Sequence, residues 1–206
     1  MEIGNLFIIA APSGTGKTTL VRALVNGMPG LAVSISHTTR MKRPNEKNGL
    51  NYFFISEAEF RRMIEKGEFL EYATVFDAFY GTSALWVKET LQKGIDVVLE
   101  IDWQGMQQIK ALIPSSISIF ILPPSLDNLR ARLVNRNQDK PQVIQNRLAD
   151  VKETISHIHE FDYVVINDDF AEALSELKLL VQANRLLQRR QCERYTQLLT
   201  KLIADE

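Results

Sequence analysis

Nine residues near the N-terminus constrain the fold more than any other stretch. "APSGTGKTT", residues 11–19, follows the apolar run "LFIIAA" and opens an amphipathic segment that predicts a helix from Lys17 to about Met28. A buried strand that turns into a helix this abruptly leaves successive backbone N–H groups aimed at one point. The helix N-terminus adds positive potential there, so the turn is built to hold an anion. Gly14 and Gly16 permit positive φ, where a Cβ would obstruct the curl around the ligand. Together these features predict a phosphate-binding loop of the G-x-x-x-x-G-K-[ST] type.

In such a loop Lys17 reaches the β- and γ-phosphates of a nucleoside triphosphate, and the Thr18 hydroxyl ligates Mg²⁺. Ala11, Pro12, Ser13, Gly14, Thr15, Gly16, Lys17, Thr18 and Thr19 form the expected contact set. The generic motif begins with Gly where this chain has Ala11, so a chance Gly-Lys-Thr in a turn is the competing reading. The strand before it and the helix after it argue against chance.

Apolar runs of strand length recur between amphipathic segments along the rest of the chain: "LAVSIS", "DVVLEID", "SISIFIL" and "FDYVVIND". Four strongly apolar strands separated by helices predict an α/β fold of the P-loop NTPase type, with a mainly parallel buried sheet flanked by helices. Weaker extended stretches, "YFFI" and "FLEYATVF", break that rhythm and predict a small inserted lobe. "YGTS" is expected to turn into a helix through Leu91, and one amphipathic helix is expected from about Phe170 toward the end. "DVVLEID" ends in carboxylates, and Glu100 there is a candidate Mg²⁺ ligand acting through water.

With 206 residues and a net charge of −1, the chain has room for one domain and no excess charge with which to coat nucleic acid. A single cysteine, Cys192, excludes an internal disulfide, and the three histidines are too scattered for a zinc site. No apolar stretch approaches the ~20 residues of a membrane span. A cytoplasmic protein without membrane or nucleic-acid partners is expected. The C-terminal leucines leave room for a homo-oligomer.

One stretch is basic despite the balanced total: "SHTTRMKRPNEKNGLNYFF", residues 36–54. Guanidinium forks suit a phosphate monoester, and phenol hydroxyls could complete its cradle. A solvated loop is the alternative for Lys42 and Arg43, and a core role for Tyr52 and Tyr80. His37 is expected to pack or cap locally.

Beyond the phosphate loop, "SHTTR", "FLEYA", "YGTS", "EIDWQG", "FILPPS" and "INDD" follow in that order. Together they resemble the guanylate kinase family, from the first strand to the C-terminal helix. The resemblance implies phosphoryl transfer from ATP to GMP, and to dGMP, with Mg²⁺. It implies a single domain whose core comprises residues 1–35, 83–130 and 150–206, with a GMP-binding lobe at 36–82 and a mobile lid at 131–149. It further implies that Arg40, Arg43, Tyr52 and Tyr80 hold the GMP phosphate, and that Ser36, Glu71, Thr82 and Asp102 read the guanine. Lys17, Arg40, Arg136 and Arg147 would serve catalysis, with Arg132 in support.

Three departures from the family pattern concern local detail. Lys42 replaces a common proline and Asn45 a frequent glycine, so a looser loop is expected. Glu100 replaces the first Asp of "DID" with a side chain one methylene longer, which weakens the case for its water-mediated Mg²⁺ role. Two rivals remain open: a related kinase for another small acceptor, and a catalytically inactive binding module. The first would not need Ser36, Glu71 and Thr82 together, and the second typically lacks a working Lys17 and Thr18.

Overall fold

A computed structural model describes residues 4–75, 77–135 and 151–204. Strand β1 (Leu6–Ala10) is buried along its whole length and forms the middle of a five-stranded sheet. Its neighbours are β7 (Asp96–Glu100) on one side and β8 (Ile117–Leu122) on the other, with β2 (Leu31–Val33) and β9 (Tyr163–Ile166) at the edges. Every pairing in this sheet is parallel. Burial on both faces explains the unbroken apolar runs.

Alternate residues of β1 serve opposite faces. Phe7 and Ile9 join Leu20 and Leu24 of helix α1 (Lys17–Asn26) and Leu177 and Val181 of α7 (Phe170–Arg185). On the other face, Leu6 and Ile8 pack with Val97, Leu99, and Met106 and Ile109 of α4 (Trp103–Leu112). The result is a three-layer α/β arrangement, the class expected from the apolar runs.

Between β2 and β7 the chain builds a second sheet, in the order β4 (Phe53–Phe54), β3 (His37–Thr38), β6 (Ala78–Ser83), β5 (Phe69–Val75). Helix α2 (Glu57–Glu65) covers it through Phe60, whose ring stacks on Phe69 at 4.4 Å and Phe79 at 5.3 Å. The Ser56 hydroxyl caps the start of α2, and Gly67, at φ 64°, follows its end. His37 packs between Phe53 and Phe69 with ring distances of 4.9 and 5.7 Å.

Two expectations need correction. "YGTS" leads into a helix as expected, but as the end of strand β6 and not as a turn: β6 runs antiparallel to β5, with Glu71 opposite Thr82 and Ala73 opposite Tyr80. Helix α3 (Ala84–Gln92) begins only after it, capped by the Ser83 hydroxyl. The C-terminal segment is not one helix either: α7 is followed by α8 (Gln188–Arg194) and α9 (Thr196–Ala204). Leu187 is extended at φ −55° and ψ 137°, and the bend brings Arg190 to the carboxylate of Asp96 at the opposite end of the sheet from the phosphate loop. Two other helices, α5 (Leu126–Asn135) and the described part of α6, residues 151–156, flank the segment that holds the expected lid.

Candidate active site

The turn after β1 has the shape its glycines predict. Gly14 and Gly16 both adopt positive φ, 92° and 98°, and Lys17 starts α1 directly. Thr15 is fully buried and its hydroxyl donates to the Pro12 carbonyl at 2.8 Å, closing the loop on itself. From the far strand, the Asn167 amide donates to the Thr15 carbonyl at 2.6 Å. Backbone groups that would otherwise be free to wobble are thereby fixed in a ring around the expected phosphate position.

Strand β7 ends beside this ring. The Lys17 ammonium donates to the Ile101 carbonyl at 3.2 Å, and the Thr18 hydroxyl donates to a Glu100 carboxylate oxygen at 2.9 Å. Burial pushes the Lys17 pKa down, and the charges of Glu100 and Asp102 work against that fall. A hydroxyl and a carboxylate oxygen in contact are hard donors of the kind that suit Mg²⁺, whose other ligands come from phosphate and water.

In the basic loop, Arg40 lies with its guanidinium carbon 5.5 Å from the Tyr52 ring and 5.7 Å from the Phe54 ring. Its Nη2 pairs with Glu46 at 2.7 Å. Burial opposes the charge on Arg40, but Glu46 and Tyr80 more than offset it and raise the pKa. Tyr52 and Tyr80 meet edge to face at 5.8 Å. Burial, with Tyr80 and Glu100 adding to it, pushes the Tyr52 phenol up to about 12. It therefore keeps its proton and can donate to an anion.

The guanine-reading candidates converge at the seam between the two sheets. Glu71 is 4% exposed and accepts from the Thr82 hydroxyl at 2.5 Å. Burial raises its pKa to about 7, with Thr82 opposing and Asp102 adding to the rise. Asp102 caps α4, accepting from the Gly105 N–H at 2.9 Å. The Ser36 carbonyl accepts from Phe53 N–H at 2.9 Å, placing Ser36 at the entrance of the small sheet. Arg136 and Arg147 lie outside the described residues, and Arg132 falls within α5.

The phosphate loop lies beside Glu100 and Asp102, and Asp102 in turn lies beside the buried Glu71. Residues 3–184 match the family model described as Guanylate kinase. The chain belongs to the guanylate kinase family. Guanylate kinases of Saccharophagus degradans and Vibrio parahaemolyticus are 52% identical over 98% of both chains and 50% identical over the full length of both. A crystal structure of the guanylate kinase from Anaplasma phagocytophilum superposes with a TM-score of 0.78 at 30% identity, covering 92% of this chain and 90% of that one. Like the rest of the family, the chain is a nucleoside monophosphate kinase with ATP as donor.

Sequence reasoning missed three residues that stand against the candidate site residues. Asn167 braces the phosphate loop across 152 positions, a contact no local pattern reveals. Gly105 was a motif letter without a role, yet a Cβ there would stand 2.7 Å from Glu71 Oε2. Glu46 was passed over although it follows Arg43 by three residues, the spacing at which a side chain can bond back to a backbone N–H.

Proposed function

We propose that the chain transfers the terminal phosphoryl group of ATP to GMP, and to dGMP, in a Mg²⁺-dependent reaction that gives ADP and the guanosine diphosphate. The observation that carries this reading is Glu71, a buried carboxylate hydrogen-bonded to Thr82 and adjacent to Asp102. Guanine presents adjacent N–H donors at N1 and N2 that one carboxylate can accept together. Adenine has no such pair and would leave the carboxylate buried and unsatisfied, at a cost of about 1–3 kcal/mol or more.

Residues 36–82 act as the GMP-binding lobe, 131–149 as the lid, and the remainder as the core. In the lobe, Arg40 and Arg43 neutralise the GMP phosphate while the Tyr52 and Tyr80 hydroxyls orient it. Ser36, Glu71, Thr82 and Asp102 hold the base. On the donor side, residues 11–19 surround the ATP phosphates and Lys17 draws charge from the transferring group. Thr18, and Glu100 through water, would hold Mg²⁺, which would supply further charge neutralisation. The GMP oxygen is already anionic and needs no strong base, so the work is positioning and electrostatics. Arg136 and Arg147 close from the lid, and closure excludes water that would otherwise hydrolyse ATP.

No described helix is long and apolar enough to cross a membrane. We assign the activity to the cytoplasm, with no nucleic-acid or membrane partner, and leave self-association to a sizing experiment. The test of function is ADP release from ATP with GMP, dGMP, AMP, UMP or ribose 1,5-bisphosphate as acceptor. Turnover with GMP and dGMP is expected to dominate; AMP turnover equal to that with GMP would overturn the reading. Glu71→Ala is expected to lose selectivity for GMP while retaining ATP binding.

A further inference from the structure

Glu46 has no place in the machinery described so far, yet its carboxylate makes two separate contacts in the phosphate half of the acceptor site. Oε1 pairs with Arg40 Nη2 at 2.7 Å, and Oε2 accepts from the backbone N–H of Arg43 at 2.9 Å. The Glu46 N–H in turn donates to the Arg43 carbonyl at 3.0 Å. Residues 43 and 46 therefore close on each other in both directions, as a helix capping box does, and the same carboxylate reaches back to Arg40.

The side chain is only 15% exposed, and the Arg40 side chain 21%. Burial works against the charge on Glu46, but its bonds to Arg40 and the Arg43 backbone outweigh that and hold its carboxyl below the usual range. Glu46 is thus a committed anion inside the basic loop. Arg40 has a second anchor of its own: Nη1 donates to the Met41 carbonyl at 2.8 Å. Two fixed points on a planar guanidinium define its orientation and leave its remaining N–H donors for a ligand.

We propose that Glu46 is the positioning residue of the acceptor phosphate site, fixing Arg40 and the turn that carries Arg43 so that both present their guanidinium groups to the phosphate of the nucleoside monophosphate. The inference rests on the acceptor reading of the basic loop given above. It replaces one expectation from the sequence. Lys42 and Asn45, standing where the family pattern often has Pro and Gly, were expected to loosen the loop. Order there rests on the carboxylate tie instead of on restricted backbone torsions.

The competing role for such a carboxylate is that of a placeholder, occupying the phosphate position until the ligand displaces it. The reciprocal bonds with residue 43 argue against it. A displaced Glu46 would strand the Arg43 N–H and undo the turn, so phosphate binding would cost loop order just when it is needed.

The experiment compares the wild type with E46A and the near-isosteric E46Q, which keeps one carbonyl oxygen but no charge. Binding of GMP and of guanosine, which lacks the phosphate, is measured by calorimetry for each, alongside thermal melting and steady-state kinetics. E46A is expected to weaken GMP binding about ten- to a hundred-fold, the scale of a lost charge-assisted network. Guanosine affinity and the KM for ATP should be unchanged, and E46Q should fall between wild type and E46A.

Equal weakening of GMP and guanosine, in E46Q as in E46A, would overturn the proposal, because it would mark a collapsed lobe. GMP binding as tight as or tighter than wild type would overturn it too, as the signature of a placeholder or a bystander. Failure of the underlying function is separately visible: the wild type itself would then neither bind nor phosphorylate GMP.

Discussion

Glu71 is a carboxyl group that burial holds protonated up to about pH 7, yet the recognition proposed for guanine requires it ionised. Folding and binding therefore pull its proton in opposite directions. Its folded pKa, about 7, lies above the ordinary 4.5. Its contribution to stability is thus fully present below pH 4.5 and is lost as pH rises through 7. Binding has the other sign, since the ionised form accepts both guanine N–H groups. Guanosine is the right probe, because the GMP phosphate titrates near pH 6 and would confuse the profile. Its inhibition constant should be flat above pH 7 and rise about ten-fold for each unit below. Glu71→Gln, which carries no charge at any pH, should melt above wild type by a margin that grows from pH 5 to pH 8. A margin that stays constant would show that Glu71 does not titrate between those limits.

Helix α4 is the element through which core and small sheet meet. Asp102, Gly105 and Gln108 recur at three-residue spacing along its first turns, so they share one face. Gln108 accepts from Tyr72 N–H at 3.2 Å and donates to the Tyr72 carbonyl at 2.8 Å, pairing with edge strand β5 as a further strand would. Gly105 lets the helix come close: an added Cβ would lie 2.7 Å from Glu71 Oε2, 3.1 Å from Ile101 Cδ1 and 3.2 Å from Glu71 Cδ. Glu71 is buried and held by Thr82, so making room means shifting that carboxylate. Gly105→Ala should therefore reduce preference for GMP over AMP about ten-fold or more in kcat/KM, despite the better helix propensity of alanine. Unchanged selectivity would show that Glu71 yields without consequence. Little of this seam is visible in the sequence. The central strands β1, β7 and β8 announce themselves because burial on both faces demands near-continuous Val, Ile and Leu. In contrast, β6 contains Gly81, Thr82 and Ser83, residues of turn chemistry, and becomes a strand because β3 and β5 pair with it on either side. Strands β3 and β4, two residues each, are too short to carry a period. The site residues were legible as types in an order; their neighbours Asn167, Gly105 and Glu46 were not, because each acts through a contact made only on folding.

Over the whole molecule, function and stability are concentrated at opposite ends of the parallel sheet. The phosphate loop and the carboxylates of Glu100 and Asp102 gather at the C-terminal ends of β1 and β7, where ligands bind in open α/β sheets. At the N-terminal end of β7, Asp96 is 1% exposed and collects three donors. It accepts from Asn5 N–H at 2.6 Å and from Arg185 Nε at 2.6 Å, and Arg190 Nη2 stands 3.5 Å away. Arg185 also donates to the Pro29 carbonyl at 3.1 Å, so one carboxylate ties the C-terminal helices to β1, β2 and β7. Both arginines lie beyond residue 184, where the family match ends. Among the described residues, Nε and Nη1 of Arg190 are buried without a hydrogen-bond partner, which makes Asp96 its main compensation. Removing one partner of a buried pair costs about 3 kcal/mol or more, because the other charge is left uncompensated. For a chain of this size that corresponds to a fall in Tm of roughly 6–12 °C. Asp96→Ala should show that fall while the KM values for ATP and GMP, measured well below the new Tm, stay within about two-fold of wild type. A melting point unchanged by the substitution would mean that α8 is held by something other than this tie. Altered KM values at unchanged stability would mean that the two ends of the sheet are coupled after all.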